Sequence, residues 1–121
     1  MPMKVGGLAG APKQLASLCP ADTSEATLYT CGLTASSGRG VVECEMLVTN
    51  ITGTAANATV AFLKGGGSTA NKDYIIKTVS IAGSSIPLPL PIPPFEATDL
   101  VKVTAGTANA LAFRLWGVEL A

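Results

Sequence analysis

Between Ile86 and Pro94 the chain reads Ile-Pro-Leu-Pro-Leu-Pro-Ile-Pro-Pro, with proline at every second position from Pro87 to Pro93. Proline lacks an N–H and holds φ near about −65°, so no helix runs through this stretch and no central strand of a sheet contains it. In an extended chain the backbone groups of alternate residues point to the same side. The four alternating prolines therefore strip the donors from one edge and leave the other able to pair. This predicts an edge strand, or an extended connector, bonded on one side only, and such an edge cannot template open-ended sheet growth. A polyproline ligand is the rival, because Pro91-Ile92-Pro93-Pro94 has the P-x-x-P spacing. The next residues are Phe95 and Glu96 rather than the usual basic flank, which favours the structural reading.

The remainder of the chain fits a β architecture around that edge. From Ala26 onward, short runs rich in Val, Ile, Thr and Phe alternate with Gly, Asn, Ser and Asp clusters, the pattern of an all-β protein. Seven strands are expected: 27–31, 41–50, 57–64, 74–81, the proline run, 99–104 and 109–119. In the second, Val42, Cys44, Met46 and Val48 are expected on one face and Glu43, Glu45, Leu47 and Thr49 on the other. In the last, Leu111, Phe113 and Leu115 oppose Ala112, Arg114, Trp116 and Val118. The facing of 74–81 is ambiguous, since Ile75, Val79 and Ile81 share a side with Lys77. Leu47–Gly65 and Leu100–Gly117 echo one another as strand, Gly-Thr-Ala turn, and strand with a central Phe, which suggests two similar hairpins, one per sheet, or chance likeness in an Ala/Thr/Gly-rich chain. With 121 residues the chain is one domain with room for a core. The fold class expected is all-β, a small antiparallel β-sandwich of jelly-roll or Ig-like type. Residues 1–24, rich in Gly, Ala and Pro without either hydrophobic period, read as an extended N-terminal arm, and residues 25–121 as the sandwich.

Charge is sparse: eight basic and eight acidic residues, 13% of the chain, sum to zero. About a quarter is usual for a soluble domain. A neutral surface removes the repulsion that keeps copies apart, which favours assembly. The basic residues stand singly, which argues against nucleic-acid binding, and no run approaches the roughly 20 apolar residues of a membrane span. Pro12, Lys13 and Gln14 interrupt what would be the core of a secretion signal. Cys19, Cys31 and Cys44 match neither a disulfide framework nor a C-x-x-C pair and read as reduced, partly buried thiols in a protein made in a cytoplasm.

Chemistry has little to work with. There is no histidine, which removes Ser-His and Cys-His activation and most zinc sites, so no enzyme, metal or cofactor is expected. Glu43 and Glu45, about 7 Å apart on one strand face, have a spacing a two-carboxylate hydrolase uses, but without an aromatic platform they read as a solvated face. Gly65-Gly66-Gly67-Ser68-Thr69 lacks the Lys and following helix of a phosphate loop and reads as a hairpin tip. Asn50-Ile51-Thr52 and Asn57-Ala58-Thr59 match the glycosylation pattern but read as turn and strand-start residues. Arg114 and Trp116 remain. Both types are enriched at interface hot spots, and they face away from the core unless the register shifts at Gly117 and buries Trp116.

Ala26-Thr27-Leu28-Tyr29-Thr30-Cys31, the run from Val41 through Asn50-Ile51-Thr52-Gly53-Thr54-Ala55-Ala56, and the ending Phe113-Arg114-Leu115-Trp116-Gly117-Val118-Glu119-Leu120-Ala121 together resemble small structural proteins of tailed-bacteriophage virions. Such proteins have an LYT(V/C) strand, a strand entering an N-x-(S/T)-G-T-A-A turn, and a last strand ending near G-x-E. The resemblance, taken with the low surface charge, the long N-terminal arm and the blunted edge, implies a capsid decoration or cement protein. It would bind the major capsid protein on the outside of the head, in symmetric clusters of three, with contacts sought at Leu8, Leu15, Leu18, Arg114 and Trp116. A tail, neck or baseplate component with a receptor- or carbohydrate-binding role is the alternative.

Overall fold

Where polar and apolar residues alternate along an extended run, as in 100–105 and most of 41–50, every second side chain is left to bury. The computed structural model describes residues 12–32, 40–84 and 86–119. Its strands are β1 (Lys13–Leu18), β2 (Ala26–Thr30), β3 (Val41–Asn50), β4 (Ala56–Leu63), β5 (Tyr74–Ile81), β6 (Leu88–Ile92), β7 (Leu100–Ala105) and β8 (Leu111–Glu119), with one 3₁₀ turn at Asn71–Asp73. They form two antiparallel four-stranded sheets, β1-β8-β3-β6 and β2-β7-β4-β5. Met46 and Val48 of β3, Leu111, Phe113 and Leu115 of β8, Val60 of β4, and Val101 and Val103 of β7 are fully buried between them. The protein is all-β, as expected.

The pairings β1·β8, β2·β7, β3·β6 and β4·β5 describe one long antiparallel ribbon, first half against second, folded so that its successive segments fall in alternate sheets. Only β4 and β5 are consecutive neighbours within a sheet. The Gly65–Gly67 loop between them has φ of 74°, 83° and 96°, a left-handed backbone that glycine adopts without steric cost.

β6 is the edge strand the prolines predict. Among the described residues it pairs with β3 alone; Leu90 and Ile92 are buried, whereas Pro89 and Pro91 are exposed. The ladder to β3 can take donors only from Leu88, Leu90 and Ile92, so the free edge offers none.

Four expectations are corrected. Residues 13–18, expected to lie in an arm with no element of its own, form β1. A bulge between Gln14 and Ala16 breaks its alternation, so both Leu15 and Leu18 pack against the core. Among the described residues the strands therefore number eight, not seven. The echoed segments are not hairpins within a sheet, because each crosses from one sheet to the other: β3 to β4, and β7 to β8. The two arches lie side by side, tied by Ile51 N–H to Ala110 C=O and Gly106 N–H to Asn57 C=O, 2.9 and 2.8 Å. Lastly, Val41 rather than Val42 joins the inward row of Cys44, Met46 and Val48, because Glu43 and Cys44 together oppose one residue of β8. Glu43 takes φ 53° at this bulge, and Gly117 completes it: a Cβ there would lie 2.7 Å from Val41 Cγ1. The ambiguous facing of β5 has a similar cause, two register shifts against β4 with Thr78 at φ 54°.

Phe95 anchors one end of the core. Tyr29 and Phe62 meet it edge-on at 5.2 and 5.0 Å, and its backbone exchanges N–H···O bonds of 2.8 and 2.9 Å with Val41. Burial pushes the Tyr29 hydroxyl up to about 12.

Candidate interface on the outer face of the first sheet

The outer face of β1-β8-β3-β6 takes its layout from register. Gln14, Trp116, Glu45 and Pro91 form one cross-strand row, and Ser17, Arg114, Leu47 and Pro89 the next. Arg114 and Trp116 thus lie two residues apart on one strand and on one face, with Leu115 between them turned inward and fully buried. Arg114 is exposed and Trp116 half-buried. The Arg114 guanidinium lies over the indole, 5.6 Å from its centroid, and its Nε donates to Gln14 Oε1 at 3.0 Å. Stacking and hydrogen bonding pre-set a side chain that would otherwise lose several rotamers on binding. The indole Nε1 is buried without a hydrogen-bond partner, a group that costs free energy until something accepts from it.

The expected contact residues divide. Arg114 lines an open groove of about 520 Å³ with Gln14, Ser17, Leu18, Cys19, Ala112 and Phe113, which brings Leu18 beside it. Leu15 packs against the core as Leu18 does, but it takes no part in lining the groove. Leu8 lies outside the described residues. Glu45 of the same face, register partner of Trp116, was read from sequence only as half of a carboxylate pair. The Glu43/Cys44 bulge interrupts the alternation that was expected to set those two side by side, and both are exposed.

Other candidate residues serve the fold. The buried Asn50 donates from Nδ2 to Thr54 C=O and Ile81 C=O, at 2.8 and 2.9 Å, and its Oδ1 accepts from Thr52 N–H and Oγ1–H at 2.9 and 2.8 Å. This first glycosylation match is a turn organiser whose amide is fully engaged. Asp99, buried at 1% exposure, accepts from Gly65 N–H at 2.7 Å, Glu96 N–H at 2.9 Å and Lys64 Nζ at 3.0 Å, and Lys64 also contacts Glu96. Burial by itself would raise the Asp99 carboxyl; the Glu96 and Gly65 N–H donors and the Lys64 ammonium outweigh it and hold it below the usual range. Those two carboxylates hold Lys64 above its ordinary value, Glu96 first. Sequence offered no sign of this clasp, which joins the Gly-rich loop to the turn before β7 across 34 residues of chain.

Cys31 and Cys44 are buried, Cys19 is exposed, and all three are free thiols. Burial pushes Cys44 up to about 11, which leaves it protonated and inert at neutral pH. Among the described residues no group of three or more His, Cys, Asp or Glu is placed to hold a metal ion, and no helix is long and apolar enough to cross a membrane. Comparison with known proteins finds no matching family model, no matching curated protein and no matching solved structure.

Proposed function

We propose that the chain is a jelly-roll subunit of a tailed-phage virion that sits on the outside of the icosahedral head and stabilises it. The observation that carries this reading is the strand order, a ribbon folded so that β1-β8-β3-β6 faces β2-β7-β4-β5. A folded ribbon of eight strands is the jelly-roll plan, which recurs in viral capsid and lectin domains, whereas the Ig-like plan divides seven strands differently. Fold alone is analogy; the sequence resemblance to virion proteins adds the setting. In this reading the segment before β1 lies across the major capsid protein, with Leu8 among its contacts, and binding to the assembled shell but not to its dissociated parts stabilises the shell by mass action. The tail-associated, carbohydrate-binding alternative would use Trp116 as a sugar platform, and the Arg114 guanidinium over that ring disfavours it. Immunogold labelling of intact particles with antibody to this chain tests the reading. Label distributed over heads is expected. Label confined to tails would replace the proposal with the alternative, and unlabelled particles would overturn both.

A further inference from the structure

The two outer faces of the sandwich are not equivalent. On β4, Ala61 and Leu63 point out of the second sheet, yet each is only 1% exposed. The chain's own loop returns over that face, held by Lys102 Nζ on Gly67 C=O at 3.2 Å and by Thr69 Oγ1 on Glu25 at 2.8 Å. Among the described residues the first sheet has no such return at its centre: Val118, towards one end of β8, is 1% exposed, but Leu47 and Trp116 are half-buried and Arg114, Glu45, Pro89 and Pro91 are exposed. Among the described residues, Lys13, Lys64, Lys72 and Lys102 each pair with a carboxylate. Arg114 does not, and its Nε bond to Gln14 leaves both terminal nitrogens available.

Four of these residues form a rectangle. Leu47 stands opposite Arg114, and Glu45 opposite Trp116. Strand spacing and rise make the sides about 4.8 and 6.7 Å and the diagonals about 8 Å. Arg114 and Glu45 occupy one diagonal, Trp116 and Leu47 the other. A twofold axis lying in the plane of the face, near the Trp116–Leu47 diagonal, folds a second copy onto the first so that each Arg114 meets the other copy's Glu45. The same operation places Trp116 and Leu47 against their own mates on the axis. The face is thus self-complementary in charge and apolar at its centre, the pattern of an isologous interface, in which residue i meets j and j meets i.

We propose that this face binds a second copy of the chain, forming a twofold dimer closed by two reciprocal Arg114–Glu45 pairs across a Trp116 and Leu47 centre. A standard interface takes about 800 Å² from each partner, roughly an eighth of the 6436 Å² that the chain exposes. The inference stands apart from location on a virion, because the second copy is recognised by this face alone.

Charge exchange tests it directly. Arg114→Glu and Glu45→Arg each place like charges at both contacts of a homodimer, yet mixing the two variants restores both pairs in a heterodimer. Sedimentation equilibrium of the full chain is expected to give a dimer for wild type. Each single variant should self-associate about 30-fold or more weakly, and the equimolar mixture should return to within about threefold of wild type. Recovery in the mixture also shows that both variants are folded. A monomeric or trimeric wild type, single variants that dimerise unimpaired, or a mixture that stays monomeric would each overturn the proposal. Labelled heads combined with a monomeric chain would overturn this inference and leave the proposed function standing, and a dimer with unlabelled particles would do the reverse.

Discussion

Asp99→Asn changes almost no volume and isolates the charge of the buried clasp. The carboxylate has acceptors facing three donors, from Gly65, Glu96 and Lys64. An amide keeps one oxygen and turns an NH₂ toward the donors that met the other. If the oxygen stays on Gly65, the Glu96 N–H loses its acceptor and the Gly65 bond loses its charge assistance. Lys64 is 62% exposed and is compensated by water. A lost hydrogen bond to a charged group is worth about 1.5–3 kcal/mol, and a buried donor left unsatisfied adds to it, so a destabilisation of about 3 kcal/mol is expected. For 121 residues, an unfolding entropy of about 2.1 cal/mol/K per residue converts this to a fall in Tm of about 12 °C. The pH dependence is a second signature. The Asp99 carboxyl lies below its ordinary value in the folded protein, so the unfolded chain takes up the proton first. The charge contributes fully above the unfolded value, and its contribution is lost as pH falls through the folded one. Scanning calorimetry of both proteins should therefore show a gap in Tm that is wide at pH 7 and narrows below about pH 4. A fall of under about 3 °C at pH 7, or a gap that stays constant into acid, would show that the buried charge does not hold the clasp.

Three further outcomes follow from packing and edges. Phe95→Ala removes the ring that Tyr29 and Phe62 both meet and should lower urea stability by about 3–5 kcal/mol; a loss below about 1 kcal/mol would mean this end of the core collapses to fill the gap. In the native protein a thiol reagent should modify Cys19 rapidly and reach Cys31 and Cys44 only on unfolding, and fast modification of two or three thiols would contradict their burial. Because burial raises Cys44, the stability of keeping it protonated is complete below the unfolded value of 9.0 and is lost as pH rises through about 11. Replacing Pro89 and Pro91 together by Thr returns donors to the free edge of β6, and thioflavin-positive aggregation at the native fold's temperature should rise. Unchanged aggregation would show that the prolines do not guard this edge.

What could be read from sequence was whatever a period of two or a proline declares. The alternation of Leu111, Phe113 and Leu115 set the facing of β8, and with it the exposure of Arg114. The proline run marked β6 as an edge before its partner was known. Bulges account for most of what was missed. An extra residue reverses the alternation, so the bulge between Gln14 and Ala16 hid β1 inside an apparent arm, that at Glu43 and Cys44 moved Val42 off the core face, and those in β5 left it unassignable. The arches were misread because a Gly-Thr-Ala turn looks the same whether it returns the chain to its own sheet or carries it across the core. The Asn50 side chain, which organises the Thr52–Thr54 turn against Ile81, is what distinguishes them in space. Glu45 entered the candidate face only through its register with Trp116, and Asp99 found its donors across stretches of chain that no local pattern relates.

The claim that the segment before β1 attaches the sandwich to a shell is tested most directly by comparing residues 12–121 with the full chain. The cut falls ahead of β1, so the first sheet keeps its edge strand. Cosedimentation with heads stripped of this protein measures occupancy, and the melting temperature of the shortened chain reports its fold. The shortened chain is expected to melt like the full one and to leave the heads bare. A shortened chain that binds at full occupancy would contradict the claim.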